Sequence, residues 1–209
     1  MEKDDVTSHY RLTAKFFNLT GPIIHFQHLQ SVAKPVLQNL VFSHTETSSI
    51  AVIENGQLTH IDVHQSPSAL RFVSSPGDLN PVHCTALGKA ILAFLPQSEL
   101  NAILNKHPLV RKTPKTITSM THFLEHLASV REQGVAFDME ENSNGVTCIA
   151  APIFDRTGQV FAACSISGPT ARMTPKLNAL EDDVRAAALT ITKMLSPLSK
   201  LAGSPKTQK

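Results

Sequence analysis

No run of apolar residues comes near the roughly 20 that a membrane-spanning helix requires; the longest, such as Ala90 to Leu95, are short. The opening Met1-Glu2-Lys3-Asp4-Asp5 lacks the hydrophobic stretch of a signal peptide, so the Asn18-Leu19-Thr20 sequon is expected to be idle and the chain to be soluble and cytoplasmic. Three cysteines, an odd number, do not make a disulfide framework. Nineteen basic residues against seventeen acidic ones leave a net charge of +2, too little to mark a nucleic-acid-binding surface. The chain also lacks a G-x-S-x-G elbow, a Walker loop, an H-E-x-x-H helix and paired C-x-x-C motifs, so no catalytic site announces itself. What is present is core-forming material. Hydrophobic residues make up 42% and charged residues 17% of 209, which excludes disorder over most of the length and suits one large domain, or one with a short appendage.

The first eight residues are polar and aperiodic and read as a disordered lead-in, with Tyr10 to Phe17 as a strand or the end of one. From Pro22 to Val41, apolar residues at 23, 26, 29, 32, 36 and 40 describe a helix with Pro22 in its first turn. Ala51–Glu54 and Gln57–Val63 around Asn55-Gly56 predict a tight hairpin. Ala69 to Val73 reads as a third extended segment. Thr85 is a plausible cap for a helix over Ala86 to Leu95, with Pro96 as its stop. Ser98 to Leu104 and the stripe Phe123, Leu124, Leu127, Val130 predict two more helices, the latter ended by Gly134. Lys106 to Thr116 reads as a basic, solvated connector. Val146–Phe154 and Gln159–Ser167 form a second hairpin, and Thr174-Pro175 opens a last helix whose buried stripe runs from Leu177 to Ile191. Hairpins interspersed with helices argue for an α+β fold around one central antiparallel sheet flanked by helices.

Alternation along the second hairpin places Val146, Cys148 and Ala150 on one face of their strand. In the partner strand Phe161, Ala163, Ser165 and Ser167 share a face, and Val160, Ala162, Cys164 and Ile166 share the other. One side of the hairpin is therefore lined by small residues, while Ile149, Ile153, Val160 and Ile166 make the opposite side suited to a core. A small-residue face is filled either by a closely packed helix or by a ligand, and its two hydroxyls lean towards a ligand. The first turn of the helix after Thr85 offers free N–H groups and a positive dipole end suited to a carboxylate, with Gly88 clearing space for a close approach. An ordinary capped helix facing water explains the same residues. His60, Asp62 and His64 alternate towards one face, sterically possible for a metal but better read as a solvated outer face.

Four segments in order, His83-Cys84-Thr85-Ala86-Leu87-Gly88-Lys89-Ala90-Ile91-Leu92-Ala93, Gly134-Val135-Ala136-Phe137-Asp138-Met139-Glu140-Glu141, Cys148-Ile149-Ala150-Ala151-Pro152-Ile153-Phe154-Asp155 and Ser165-Ile166-Ser167-Gly168-Pro169 followed by Arg172, resemble the signature of the IclR-type bacterial transcription regulators. The resemblance extends from about Tyr10 to Leu195. It implies a GAF-like effector-binding domain over residues 21–198, a remnant of the winged-helix wing and linker within 1–20 (His9 to Thr13), and a flexible basic tail over 199–209. Carried over by motif, the ligand-binding residues are Ala86, Leu87, Asp138, Cys148, Ser165 and Ser167, with Ala69, Leu70 and Phe72 as an apolar wall. The implied partner is a small-molecule effector bearing a carboxylate, bound without chemistry, cofactor or metal. Operator DNA would be reached only through a winged helix that this chain is too short at its N-terminus to hold, in a homodimer or homotetramer and with no membrane involved. A zinc sensor built on Asp138, Cys148 and Cys84 or His83, and a cysteine-based redox enzyme of GAF fold, are the alternatives. Against the latter, alternation puts Cys148 and Cys164 on opposite faces.

Overall fold

The structure, a computed structural model, describes residues 2–3, 10–11 and 15–195, with side chains described over 26–195. Strand β1 (Glu2–Lys3) pairs antiparallel with β2 (Tyr10–Arg11), so the expectation of a lead-in without structure is corrected at those two residues. The 30-residue helix α1 (Lys15–His44) follows, beginning earlier than its apolar spacing suggested and taking Pro22 into its body rather than its first turn. Strands β3 (Thr47–Glu54), β4 (Gln57–His64) and the short β5 (Leu79–Asn80) come next. Three helices, α2 (Ala86–Leu92), α3 (Gln97–Lys106) and α4 (Met120–Gln133), then lead through Gly134, a left-handed cap with φ 71°, into β6 (Ala136–Met139). The hairpin of β7 (Val146–Phe154) and β8 (Val160–Pro169) continues into α5 (Thr170–Met173), a 3-10 turn and α6 (Leu177–Leu195). The basic tail expected over 199–209 lies outside the described residues.

The six larger strands form one antiparallel sheet in the order β5-β4-β3-β8-β7-β6. Both predicted hairpins are present. Asn55 and Gly56 have φ of 52° and 80°, the left-handed pair that a type I′ turn needs. The predicted strand over Ala69–Val73 is not formed: the chain from Gln65 to Asp78 has no strand or helix, and β5 takes the edge position instead. The segment is held by hydroxyl and guanidinium donors rather than by a ladder, with Thr47 Oγ1 donating to the Phe72 carbonyl at 2.7 Å.

One sheet face packs on α1 and α6. Leu29, Leu37 and Leu40 meet Ile50, Ile149, Ile153 and Ile166 there, with Leu180, Val184 and Ile191 from α6. Each such side chain contributes about 2 kcal/mol by leaving water. The other face is covered by α2 and α4, through Leu87, Ala90, Ile91, Phe123 and Leu127. The predicted stripes of α4 and α6 are thus core, except Leu124, which is exposed.

At the junction of α1 and β3, Glu46 is fully buried and takes a bidentate pair of hydrogen bonds from Arg172, Nε to Oε1 at 2.7 Å and Nη2 to Oε2 at 2.8 Å. The same Nη2 donates to the Leu70 carbonyl at 2.9 Å, tying the irregular 65–78 segment to α5. Arg172→Ala strands a buried carboxylate beside Lys176 alone, whose Nζ lies 3.8 Å away. The variant is expected to lose about 2 kcal/mol in urea unfolding, and adding Glu46→Gln should recover part of that loss.

Candidate functional site

The small-residue face is used in two ways at once. Pairing across the sheet aligns Ala136, Ala150, Ser165 and Ser49 in one row, and Ala163, Ala51 and His60 in the row on one side of it. Alanines of these rows pack directly beneath α2. The row on the other side is polar: Asp138, Cys148, Ser167 and Thr47 stand opposite one another on β6, β7, β8 and β3. A closely packed helix and a polar hollow thus divide the face between them.

Two β-bulges correct the alternation. In β8, Ile153 pairs with Ala162 and Phe154 with Val160, so the extra residue Phe161 turns to the α1–α6 core and Val160 to the α2 side, the reverse of the strict-parity expectation. In β4, Ala51 pairs with His60 and Ile50 with Asp62, leaving Ile61 as the extra residue. His60 therefore faces the α2 side, while Asp62 and His64 face the α1 side and bond each other at 3.1 Å. The three do not share a face, and the solvated reading fails for His60, which is 4% exposed.

The hollow lies beside the start of α2. Seven of the nine residues expected there line it: Phe72, Ala86, Leu87, Asp138, Cys148, Ser165 and Ser167. Ala69 and Leu70 do not. Leu70 is 70% exposed because its carbonyl is drawn to Arg172 and its side chain turned outward, and Ala69 is exposed beside it. Leu58, His60, Asn80, Thr85, Asn142 and Val146 also line the hollow and were not anticipated as site residues. His60 was hidden by the bulge; Asn80 and Asn142 lie in segments with no period to read. The enclosed volume is about 30 Å³, room for roughly one water. Ser165 Oγ lies 3.0 Å from Ser49 Oγ.

Thr85 caps α2 as expected, its Oγ1 accepting from Gly88 N at 3.2 Å and donating to the Pro81 carbonyl at 2.9 Å. Gly88, however, does not make room for a ligand. A Cβ there would lie 2.1 Å from the Val82 carbonyl oxygen, so the missing side chain lets the 81–85 turn cross α2. Gly88→Ala is expected to cost about 3 kcal/mol or more by forcing these backbones apart, seen as a lowered melting temperature before any ligand is added.

Beneath the hollow the charges are unusually buried. Lys89 is fully enclosed and paired with Glu141. Asp138 Oδ1 accepts from Glu141 N at 2.7 Å and Asn142 N at 3.3 Å. Burial outweighs these bonds and the Lys89 charge, and pushes the Asp138 carboxyl up to about 7. Burial likewise raises Glu141 and lowers His60 and His83. It pushes the Cys84 and Cys164 thiols up to about 12 and Cys148 higher still. Burial thus favours the thiol form of all three over the thiolate that a nucleophilic cysteine uses. Among the described residues, no three of His, Cys, Asp and Glu gather as a metal site would require.

The basic connector is not simply solvated. Thr113 and Thr116 are buried and donate to the Glu140 and Glu141 carbonyls at 2.7 Å each, and His83 Nε2 lies 2.9 Å from the Val110 carbonyl, strapping 110–116 beside the site.

A folded carboxyl at about 7 against an ordinary 3.8 binds its proton more tightly than in the unfolded chain, so its stability contribution is full below 3.8 and is lost as pH rises through about 7. Asp138→Asn, which keeps an oxygen for both backbone N–H groups, removes this titration. Its melting temperature relative to the parent should climb between pH 4 and 7 and level off above.

A curled antiparallel sheet with helices on both faces and a polar hollow at a helix start defines a GAF-like domain. The match of residues 22–193 to the family described as bacterial transcriptional regulator IclR C-terminal shows that the chain belongs to the IclR family. It is 30% identical over 197 residues to the HTH-type transcriptional regulator BhcR of Paracoccus denitrificans, covering 94% of this chain and 71% of that protein. It is 34% identical over 168 residues to the transcriptional repressor IclR of Escherichia coli, covering 79% and 61%. The chain thus spans roughly three fifths to seven tenths of these curated relatives. Among solved structures, the C-terminal domain of the E. coli regulator KdgR superposes with a TM-score of 0.74 at 33% identity, over 81% of this chain and 99% of that one. A double mutant of the Acinetobacter PobR inducer-binding domain, in complex with 3-hydroxybenzoic acid, gives 0.72 at 29% identity, over 81% and 98%. Among the described residues, no helix is long and apolar enough to cross a membrane.

Proposed function

We propose that this domain is a sensor that binds a small carboxylate-bearing molecule in the hollow, without chemistry on it, and sets the operator affinity of a transcription regulator. The observation that carries this reading is that Asp138, Cys148 and Ser167, opposite one another on β6, β7 and β8, line a hollow beside the start of α2, where a purely structural face would be apolar. The Ser165 and Ser167 hydroxyls and the backbone N–H groups of Ala86 and Leu87 supply donors for a carboxylate. Asp138, whose carboxyl burial pushes up to about 7 and whose backbone bonds go to Oδ1, supplies a further donor or acceptor. Cys148 acts as a small wall residue. Phe72 closes the hollow from the 65–78 segment, and because so little volume is enclosed, binding requires that segment to shift. The acid bound by the related PobR domain supports the ligand class.

Signalling would run by population shift between subunit arrangements of a homodimer or homotetramer. The paired strands β1 and β2 leading into the long α1 suit a wing and linker to a DNA-reading domain. Burial that favours the thiol over the thiolate weighs against the redox reading, and among the described residues no gathered His, Cys, Asp and Glu set supports the zinc one.

Calorimetry and thermal-shift measurements against a panel of small organic acids test the sensor reading. At least one acid should raise the melting temperature, and Ser165→Ala combined with Ser167→Ala should weaken its binding by about 2 kcal/mol with the fold intact. Should no acid shift the parent, or should the double variant bind as tightly, the reading fails.

A further inference from the structure

We propose that His60 is a specificity-determining residue of the hollow, hydrogen-bonding a hydroxyl that the effector carries at the end opposite its carboxylate. The inference rests on the sensor reading and narrows its ligand to hydroxylated small acids.

Three observations converge on His60. It is 4% exposed, lines the hollow, and its Nδ1 is buried with no hydrogen-bond partner. A buried nitrogen left without a partner is costly in a folded protein and calls for one from outside the chain. Second, His60 faces inward through its pairing with Ala51, and a bulge separates it from the residues that follow. With Ile61 as the extra residue of β4, Asp62 and His64 turn to the opposite face, so His60 is the one polar side chain of that His-Asp-His alternation left on the α2 side. Third, His60 stands across the site from the Ser165 and Ser167 donors. The strand order places β4 and β8 two strand spacings apart, roughly 10 Å along the curled sheet. A ligand anchored between α2 and the Ser165–Ser167 donors therefore meets His60 with its other end. Leu58 and Asn80, which pair across β4 and β5, line that same end, so the pocket there is apolar except for the imidazole and one amide.

The charge state selects the partner. Burial holds the imidazole below its ordinary value, against the smaller opposing pull of Asp78, whose carboxylate accepts from Ser74 Oγ and Ser75 N. A neutral imidazole has no charge to offer a second carboxylate, but it satisfies a hydroxyl in either tautomer, since a hydroxyl both donates and accepts.

Matched acids test this: 4-hydroxybutyrate against butyrate and 3-hydroxypropionate against propionate, titrated calorimetrically into the whole chain. The parent should bind the hydroxylated member at least tenfold more tightly in at least one pair. His60→Phe, which fills the space without a hydrogen bond, should bring that member down to its unhydroxylated partner and leave the latter unchanged. His60→Asn should restore part of the preference, and guards against a Phe variant that fails to fold, which circular dichroism would reveal. Equal binding of both members by the parent, or an equal loss for both in His60→Phe, overturns the inference while leaving the sensor reading intact. If the parent binds none of the four acids, the inference falls, and the wider acid panel decides the sensor reading separately.

Discussion

The arrangement depends on how closely α2 lies against the sheet. Alanines at 51, 136, 150 and 163 bring the helix down on one side, and Gly88 lets the Val82 backbone cross it on the other. A helix held this tightly from both sides cannot slide, and its first turn is fixed over the point where the sheet changes from alanine to serine, cysteine and aspartate. The hollow is what remains where close packing stops. Larger side chains at the alanine positions would lift α2 and open a cleft there instead, with the polar row no longer beneath a helix end.

Much of this was legible in the sequence, because the signals were periodic. Helices α3, α4 and α6 follow three-and-four spacing, Asn55-Gly56 fixed the first hairpin, and parity from Ala162 to Ser167 placed Ser165 and Ser167 on the face they occupy. The misses have physical causes. Period two is read one residue at a time, so a single bulge residue inverts everything beyond it: Ile61 hid His60, and Phe161 exchanged faces with Val160. Ala69–Val73 has the composition of a strand, but its backbone is held by Thr47 and Arg172 side chains, and no local pattern announces a partner some 25 or 102 residues away. Strand β6 is four residues long, too short for alternation to show. The family resemblance supplied Asp138, Ala86 and Leu87, which no periodicity singles out.

Burial also determines the chemical character of the site. Lys89 and Glu141 neutralise one another inside the molecule, and the charge of Lys89 opposes but does not overcome the desolvation of Asp138. The outcome is a pocket in which burial favours the protonated acid, the neutral imidazole and the thiol. Groups held in these states recognise a partner through shape and hydrogen-bonding pattern more than through fixed charge.

Strand β3 joins this pocket to the rest of the molecule, and its alternation does so residue by residue. Thr47 and Ser49 are on the sheet face that carries the hollow, the first holding the Phe72 segment and the second bonding Ser165. Ser48, between them, faces the other way and donates to the Leu37 carbonyl of α1 at 2.7 Å. Glu46, one residue earlier, is clamped by Arg172, which also holds Leu70. The closing segment, the ligand-facing hydroxyls and the long N-terminal helix are therefore all fastened to four consecutive residues of extended chain. An extended strand is stiff along its axis and hydrogen-bonded on both edges here, so it cannot absorb a displacement on one face without passing it to the other. If the hollow takes a ligand as proposed, a movement of the Phe72 segment that admits it would strain the same residues that anchor α1, and this strand is the shortest path in the fold from the hollow to that helix.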